Sequence, residues 1–184
     1  MGIKALGYVA IETAQPEKWN QFLTQVAGVM RAPDAADGAA LYRIDQRPFR
    51  FRIEKSSRDW FKAAGYEVTD AAALRSLATA IEASGRSVEH FRASDCVLRC
   101  VVAGFRTSDP AGNGLEFYCG DSSADEPFVS PIGVPGFITG DMGMGHAVFS
   151  APNFAEVLAF YKDVVGFHET DMPAFHLMGP EAPP

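Results

Sequence analysis

The chain has 184 residues, of which 47% are hydrophobic, and carries a formal net charge of −7 at neutral pH. That length can bury one good core, or one core and part of another, and the acidic balance without a basic stripe argues against a nucleic-acid partner. The opening MGIKALGYVAIET is too short an apolar stretch for a signal peptide or membrane span, so a cytoplasmic protein with no membrane attachment is expected.

Residues 6–12 read as a first strand. Pro16 suits the first turn of a helix on which Trp19, Phe22, Leu23 and Val26 share one face, with Gly28 as its stop. Residues 39–45 and 49–55 are two strands joined by Gln46-Arg47-Pro48. In the second, Phe49, Phe51 and Ile53 alternate with Arg50, Arg52 and Glu54. The order then begins again with a short strand over 64–69. Asp70 caps a helix carrying Leu74, Leu77, Ala78 and Ile81, and Gly85 ends it. After His90, in an apparent loop, residues 99–107 and 115–119 form a hairpin around the turn Asp109-Pro110-Ala111-Gly112-Asn113-Gly114. Residues 1–120 therefore hold two βαβββ-like units and make one domain. Residues 121–140, with Pro127, Pro131 and Pro135, are a connector, and 141–184 open a second domain.

That second domain begins as a copy of the first. Residues 6–29 and 144–167 align without a gap, and Gly7, Phe22, Val26 and Gly28 recur as Gly145, Phe160, Val164 and Gly166. An internal repeat settles architecture: an α+β fold of paired βαβββ modules, with the second pair incomplete. The copy has an opening strand from Met144 and a helix capped by Asn153, with Glu156 in capping-box position. Val157, Leu158, Phe160, Tyr161, Val164 and Val165 form the apolar face of that helix. Shifting residue 119 by the 138-residue offset puts the end of a full second domain near position 257. The chain therefore reads as a fragment of a longer polypeptide, or one whose tail pairs with another chain. The last helix is then expected to have no second sheet half to cover it.

Tyr8 aligns with His146, the one position of the repeat where the copy gains a metal-binding group. A lone strand histidine is more often structural, but this change and the small neighbours Gly143, Gly145 and Ala147 favour a ligand role. Val148 shares its face. Glu116, between Leu115 and Phe117, reads as an outward-facing strand residue, a relic of the module plan. His168 and His176 read as surface or loop residues. Cys96, Cys100 and Cys119 have no partner pair to complete a zinc site and read as free thiols. No phosphate-binding glycine loop or nucleophile elbow is present.

The stretches IKALGYVAIE, LYRIDQRPFRF, AGYEV and DPAGNGLEFYCG, and above all FITGDMGMGHAVFSAP followed by AFYKDVVGF, carry a resemblance. The chain resembles the two-domain type I extradiol ring-cleavage dioxygenases of the vicinal oxygen chelate superfamily, nearest to those acting on dihydroxybiphenyl and related catechols. The likeness runs from residue 2 to about 179. ITGDMGMGH is its specific part, whereas DPAGN recurs across the wider superfamily. The resemblance implies paired βαβββ modules in each domain and a metal only in the C-terminal one. There two histidines and one glutamate hold Fe(II) and leave positions open. A catechol such as 2,3-dihydroxybiphenyl chelates the iron, O2 takes a neighbouring position, and the ring opens beside the diol, in aromatic-compound degradation. His146 matches the first ligand, and Val148 matches a position lining the substrate pocket. The second histidine, the glutamate, the acid-base histidine and the tyrosine near the iron have no match. The chain as given is therefore expected to hold Fe(II) poorly and to be inactive, and the full-length protein to form a homo-oligomer. Two other readings remain: a non-catalytic small-molecule-binding module, and a glyoxalase-like metalloenzyme of the same fold.

Overall fold

A computed structural model describes residues 2–140 and 143–170. β1 (Ile3–Thr13), α1 (Pro16–Gln21), β2 (Met30–Arg31), β3 (Ala40–Arg43) and β4 (Phe51–Lys55) form a first unit. β5 (Trp60–Val68), α2 (Ala71–Ala83), β6 (Glu89–His90), β7 (Val101–Ser108) and β8 (Gly114–Asp121) repeat it, with a short extra helix, α3 (Ala93–Arg99), between β6 and β7. The eight strands make one sheet in the order β2-β3-β4-β1-β5-β8-β7-β6. Each unit's first strand runs parallel to its last, β1 with β4 and β5 with β8, and the units join across the antiparallel β1–β5 pair. The α+β plan of paired βαβββ units is the one the sequence implies.

One face of the sheet is apolar. Leu6, Val9, Tyr66, Val68, Phe105, Leu115 and Phe117 pack with Leu74, Leu77, Ala78 and Ile81 of α2. That helix starts where it does because the Asp70 carboxylate accepts hydrogen bonds from the amides of Ala72 and Ala73, both at 2.8 Å, a cap worth about 1 kcal/mol. Its stripe at 74, 77, 78 and 81 then lies on the sheet. The other face is charged, yet Arg50, Arg52, Glu67 and Glu116 on it are buried. Each has an opposite charge at hand, as burial requires. Arg50 pairs with Asp45 and donates to the Gly7 carbonyl at 2.7 Å. Arg52 pairs with Asp37 and Glu54, and Arg47 reaches Glu67 at 2.6 Å. The alternation over 49–55 shows the two faces, but only the fold shows that both are covered.

The first helix departs from expectation. After Gln21 it passes into one π-helical turn, Phe22–Val26, in which the Ala27 amide donates to the Phe22 carbonyl at 3.0 Å. The wider turn rotates the helix face. Leu23 is buried with Val29, Tyr42 and Ile53, whereas Phe22 and Val26 are exposed. Trp19, Phe22, Leu23 and Val26 therefore do not form the single stripe that a regular helix would give them.

The second copy departs further. The expected strand from Met144 is absent, and from Gly143 to Ser150 the only ladder contact is one parallel bridge from Gly143 to Leu6. A strand needs a partner backbone. β5 takes one edge of β1 and β4 covers the other only over Val9–Thr13, so that edge is open over Ile3–Tyr8, and the segment meets it there once, at Leu6. The helix does form, as α4 (Phe154–Ala159) continued by a π-helical turn, Phe160–Val165. Its capping box does not. The Asn153 side-chain amide donates to the Pro110 carbonyl and to Glu156 instead of accepting from the helix.

Nor is this helix uncovered. Val157, Phe160 and Val165 are buried, the last two in the same core as α2. The Arg86 guanidinium sits 5.5 Å from the Phe160 ring, and Tyr161 donates to Asp109 at 3.2 Å. The expectation of a bare apolar face fails because the sheet has room beside α2, and burying those side chains there removes them from water. Among the described residues, no helix is long and apolar enough to cross a membrane. Two consequences can be measured. Amides of residues 157–165 should exchange on the timescale of the α2 core rather than of a frayed tail. Phe160→Ala should destabilise the chain by about 3 kcal/mol in urea unfolding and loosen α2 with it.

Candidate functional site

Three adjacent strands present Tyr8, Gly65 and Glu116 in a row, Tyr8 opposite Gly65 and Gly65 beside Glu116. Gly65 has no side chain, and the Tyr8 ring lies across it: a Cβ there would stand 2.3 Å from Tyr8 Cζ. The phenol thereby reaches over the middle strand and donates to Glu116 Oε2 at 2.5 Å. The counter-charge comes from Arg99, the last residue of α3. Its Nε donates to Oε2 at 2.9 Å and its Nη2 to Oε1 at 2.6 Å, a two-pronged pair. Cys100 takes a left-handed conformation (φ 56°), which ends α3 and turns the chain into β7 within one residue. Both side chains of the pair are almost completely buried, at 6% and 5% exposure. Removing one partner of such a pair costs about 3–5 kcal/mol.

The surroundings hold the Tyr8 phenol neutral and the Arg99 guanidinium charged. Burial, reinforced by the Glu116 charge, drives the Tyr8 phenol well above its ordinary value, although the Arg99 charge opposes this. Burial alone would lower Arg99, but its hydrogen bond and ion pair with Glu116 raise it instead. On one side Tyr8 packs against Phe49 and Tyr118, with ring centroids 5.0 and 5.4 Å away, and these aromatics fill the space. On the other side a polar cleft of about 460 Å³ opens, lined by Arg52, Lys62, Asp95, Arg99, Arg106 and Glu116 among others.

Glu116, expected to face outward, is thus an interior residue. It is buried because the charged face of the sheet is covered, in part by α3, which sequence periodicity did not reveal. Arg99 was missed with that helix. The signal available was the carboxylate itself, flanked by Leu115 and Phe117 on a strand whose two faces are both covered. His146 and Val148 lie in the irregular segment after Gly143, both exposed, Val148 by 83%. His90 sits on the exposed edge strand β6 and His168 is exposed, while His176 lies outside the described residues. Cys119 is buried, and Cys96 and Cys100 are half-buried free thiols. Among the described residues, no three or more His, Cys, Asp or Glu side chains are grouped to hold a metal ion.

Two βαβββ units joined through their first strands, followed by a connector and a restart of the same plan, define the fold class shared by extradiol dioxygenases and a glyoxalase. A family profile described as "Dihydroxybiphenyl dioxygenase BphC D1" matches residues 6–55. The chain is 38% identical over 182 residues to a biphenyl-2,3-diol 1,2-dioxygenase of Paraburkholderia xenovorans strain LB400, covering 98% of this chain and 60% of that one. It is 31% identical over 171 residues to an iron-dependent extradiol dioxygenase of Rhodococcus jostii strain RHA1, covering 93% and 57% respectively. The crystal structure of a halotolerant catechol dioxygenase superposes with a TM-score of 0.87 at 26% identity, covering 91% of this chain and 56% of that one. The chain is a homologue of the biphenyl-2,3-diol 1,2-dioxygenases, of the extradiol dioxygenase family. It spans about 60% of the length of the curated relatives it matches.

Gly65→Ala should cost about 2–3 kcal/mol in urea unfolding, the upper end for overpacking, because the new methyl must displace the Tyr8 ring from its place over the strand. The loss should appear together with a changed near-ultraviolet tyrosine signal. Stability should also depend on pH at both extremes. Burial alone would raise the Asp45 carboxyl, but its hydrogen bonds from Arg50 and the Arg47 amide and the Arg50 charge hold it below its ordinary value. A depressed carboxyl contributes stability above its unfolded pKa and loses it as pH falls, so the unfolding temperature should drop below about pH 4. Asp45→Asn should flatten that limb. Burial pushes the phenols of Tyr66 and Tyr118 up to about 12. A raised group loses its contribution as pH climbs from the unfolded to the folded value, so a second decline should run from about pH 10 to pH 12.

Proposed function

We propose that this chain is part of a cytoplasmic Fe(II)-dependent extradiol dioxygenase that cleaves a catechol such as 2,3-dihydroxybiphenyl with O2. In this reading residues 1–120 are its metal-free domain, 121–140 a connector, and 141–184 the opening of its catalytic domain. The observation that carries it is the repeat: with 38% identity to a biphenyl-2,3-diol 1,2-dioxygenase running through both copies, the second copy replaces Tyr8 by His146. The Rhodococcus relative, named as iron-dependent, supports the choice of metal.

His146 would supply one imidazole to the iron, and Val148 an apolar wall for the substrate ring. Both stand exposed in a segment rich in glycine, where a ligand has room to approach. One imidazole does not make an iron site, and the described residues offer no further cluster of ligating side chains. The remaining ligands would come from residues beyond this set. When bound, the iron would bring catechol and O2 to one centre. The first domain would support the ligand-bearing segment at two points. Met144 donates its amide to the Leu6 carbonyl at 2.9 Å, and Asn113 donates to the Ser150 carbonyl at 3.0 Å. The full-length protein would be a homo-oligomer. A non-catalytic binding module is the competing reading, and the polar cleft of the first domain is the observation in its favour.

The test uses these 184 residues within a polypeptide extended to the length of the relatives. It should form the ring-fission product from 2,3-dihydroxybiphenyl with Fe(II) and O2. His146→Ala should lower both iron affinity, by anaerobic titration, and turnover by more than about 100-fold, since loss of even an outer-shell partner costs up to about that much. Near-normal turnover by the variant would sink the assignment of His146. The 184-residue chain alone should bind Fe(II) weakly.

A further inference from the structure

We infer that Asn113 is a site of spontaneous deamidation, held off while its side chain is clamped to the second copy, and that its conversion to a carboxylate loosens that copy from the first domain. This goes beyond the dioxygenase reading and does not depend on His146.

Of the chain's three asparagines, Asn20 precedes Gln21, Asn153 precedes Phe154, and only Asn113 precedes a glycine. In the reaction the backbone nitrogen of the following residue attacks the side-chain amide carbon. That nitrogen gives up its proton, the Cγ–Nδ2 bond breaks, ammonia leaves and a cyclic imide remains. Water then opens the imide to aspartate or its β-linked isomer, so that one water enters for each ammonia lost. A glycine nitrogen is the least hindered nucleophile, having no Cβ beside it. The fold admits no other residue at 114, because a Cβ there would overlap the Lys62 carbonyl oxygen. The labile pair is therefore built in. What restrains it is the side-chain amide's own bonding: Nδ2 donates to Asp109 Oδ2 at 2.8 Å and to the Ser150 carbonyl at 3.0 Å. Attack by Gly114 requires the amide to turn away from both. The turn itself does not depend on that amide, since it closes through the Asn113 backbone, whose N–H donates to Asp109 Oδ1 at 2.9 Å and whose carbonyl accepts from the Asp109 amide at 3.0 Å. One of the two restraints thus belongs to the second copy, and Tyr161 of that copy shares the other through Asp109 Oδ2. After conversion the new carboxylate faces the buried Asp109 carboxylate and the Ser150 carbonyl with no proton to donate, and the like charges repel. Arg86 is the cation at hand, but it is engaged with the Ser108 and Asp109 carbonyls at 3.3 and 3.1 Å. The device runs one way: a lapse in docking frees the amide, and the product opposes redocking.

The experiment incubates the 184-residue chain at mildly alkaline pH and follows conversion of amide to acid at Asn113 by peptide mass spectrometry, with Asn20 as the internal control. Conversion should be slower in the folded chain than in urea beyond its unfolding midpoint by about 10-fold or more, the protection expected of a segment that must open locally to react. Tyr161→Phe with Asn153→Ala removes two other bonds between the turn and the second copy, and it should speed conversion several-fold while the amides of α2 stay protected. Tyr161→Phe alone is the milder companion should the pair fail to fold, with a smaller acceleration. Separately, Asn113→Asp should speed hydrogen exchange over residues 157–165 and leave α2 unchanged, and Asn113→Ala, which removes the clamp without adding charge, should do so less. The inference is overturned if folded and unfolded chains convert at the same rate, if the folded variants convert no faster than the parent, or if Asn113→Asp exchanges over 157–165 as the parent does.

Discussion

A carboxylate placed on a covered sheet face must meet a cation, and much of the first domain is arranged so that Glu116 does. The strand next to it carries glycine at the matching position. The strand beyond carries a tyrosine long enough to lie across that glycine. A short helix, interpolated between β6 and β7, ends on Arg99 and stops there through a left-handed cysteine. Phe91 supports the arrangement, with the guanidinium carbons of Arg99 and Arg106 lying 5.4 and 5.3 Å from its ring. None of these features is needed for a sheet as such. Together they close the middle of a polar face that would otherwise hold an isolated charge.

The same economy appears at the turn Asp109–Gly114. Asp109 is buried, and its Oδ1 accepts from the amides of Ala111 and Asn113, both at 2.9 Å, which accounts for the turn itself. The remaining polar groups face the second copy. Asn113 reaches Ser150, the Pro110 carbonyl receives Asn153, and Asp109 Oδ2 receives Tyr161. A segment that local chemistry explains as a hairpin turn is therefore also where the first domain grips α4. That grip, with the burial of Phe160 and Val165 beside α2, keeps the helix on the sheet. The π-helical turns in both copies of the helix, at Phe22–Val26 and Phe160–Val165, show that the repeat extends to irregularities of backbone geometry.

The two copies place different side chains at one position of a shared plan. In the first, the residue at the repeated strand position is Tyr8, sealed under aromatic neighbours and tied to Glu116. In the second it is His146, exposed beside glycines. Under the function proposed above, one half of the duplicated scaffold would be filled in and structural, and the other would stay open for a ligand. In such a duplicated fold, function follows the side chains at a few equivalent positions rather than the scaffold.

The sequence by itself determined the plan of two paired βαβββ units, the Asp70 cap, the core stripe of α2 and the divergence of Tyr8 from His146, though not α3 or the irregular course of the chain after Gly143. These follow from local propensity, hydrophobic period and self-similarity, all read along the chain. Only the tertiary structure decided which faces are covered. Strand alternation separates Arg52 from Ile53 and Glu116 from Phe117, but it cannot tell solvent from a second buried face, since that depends on what α3 and the neighbouring strands bring across. It likewise could not show that Phe160 and Val165 find a surface beside α2, nor that the segment after Gly143 meets the open half of the β1 edge at Leu6 alone and stays irregular.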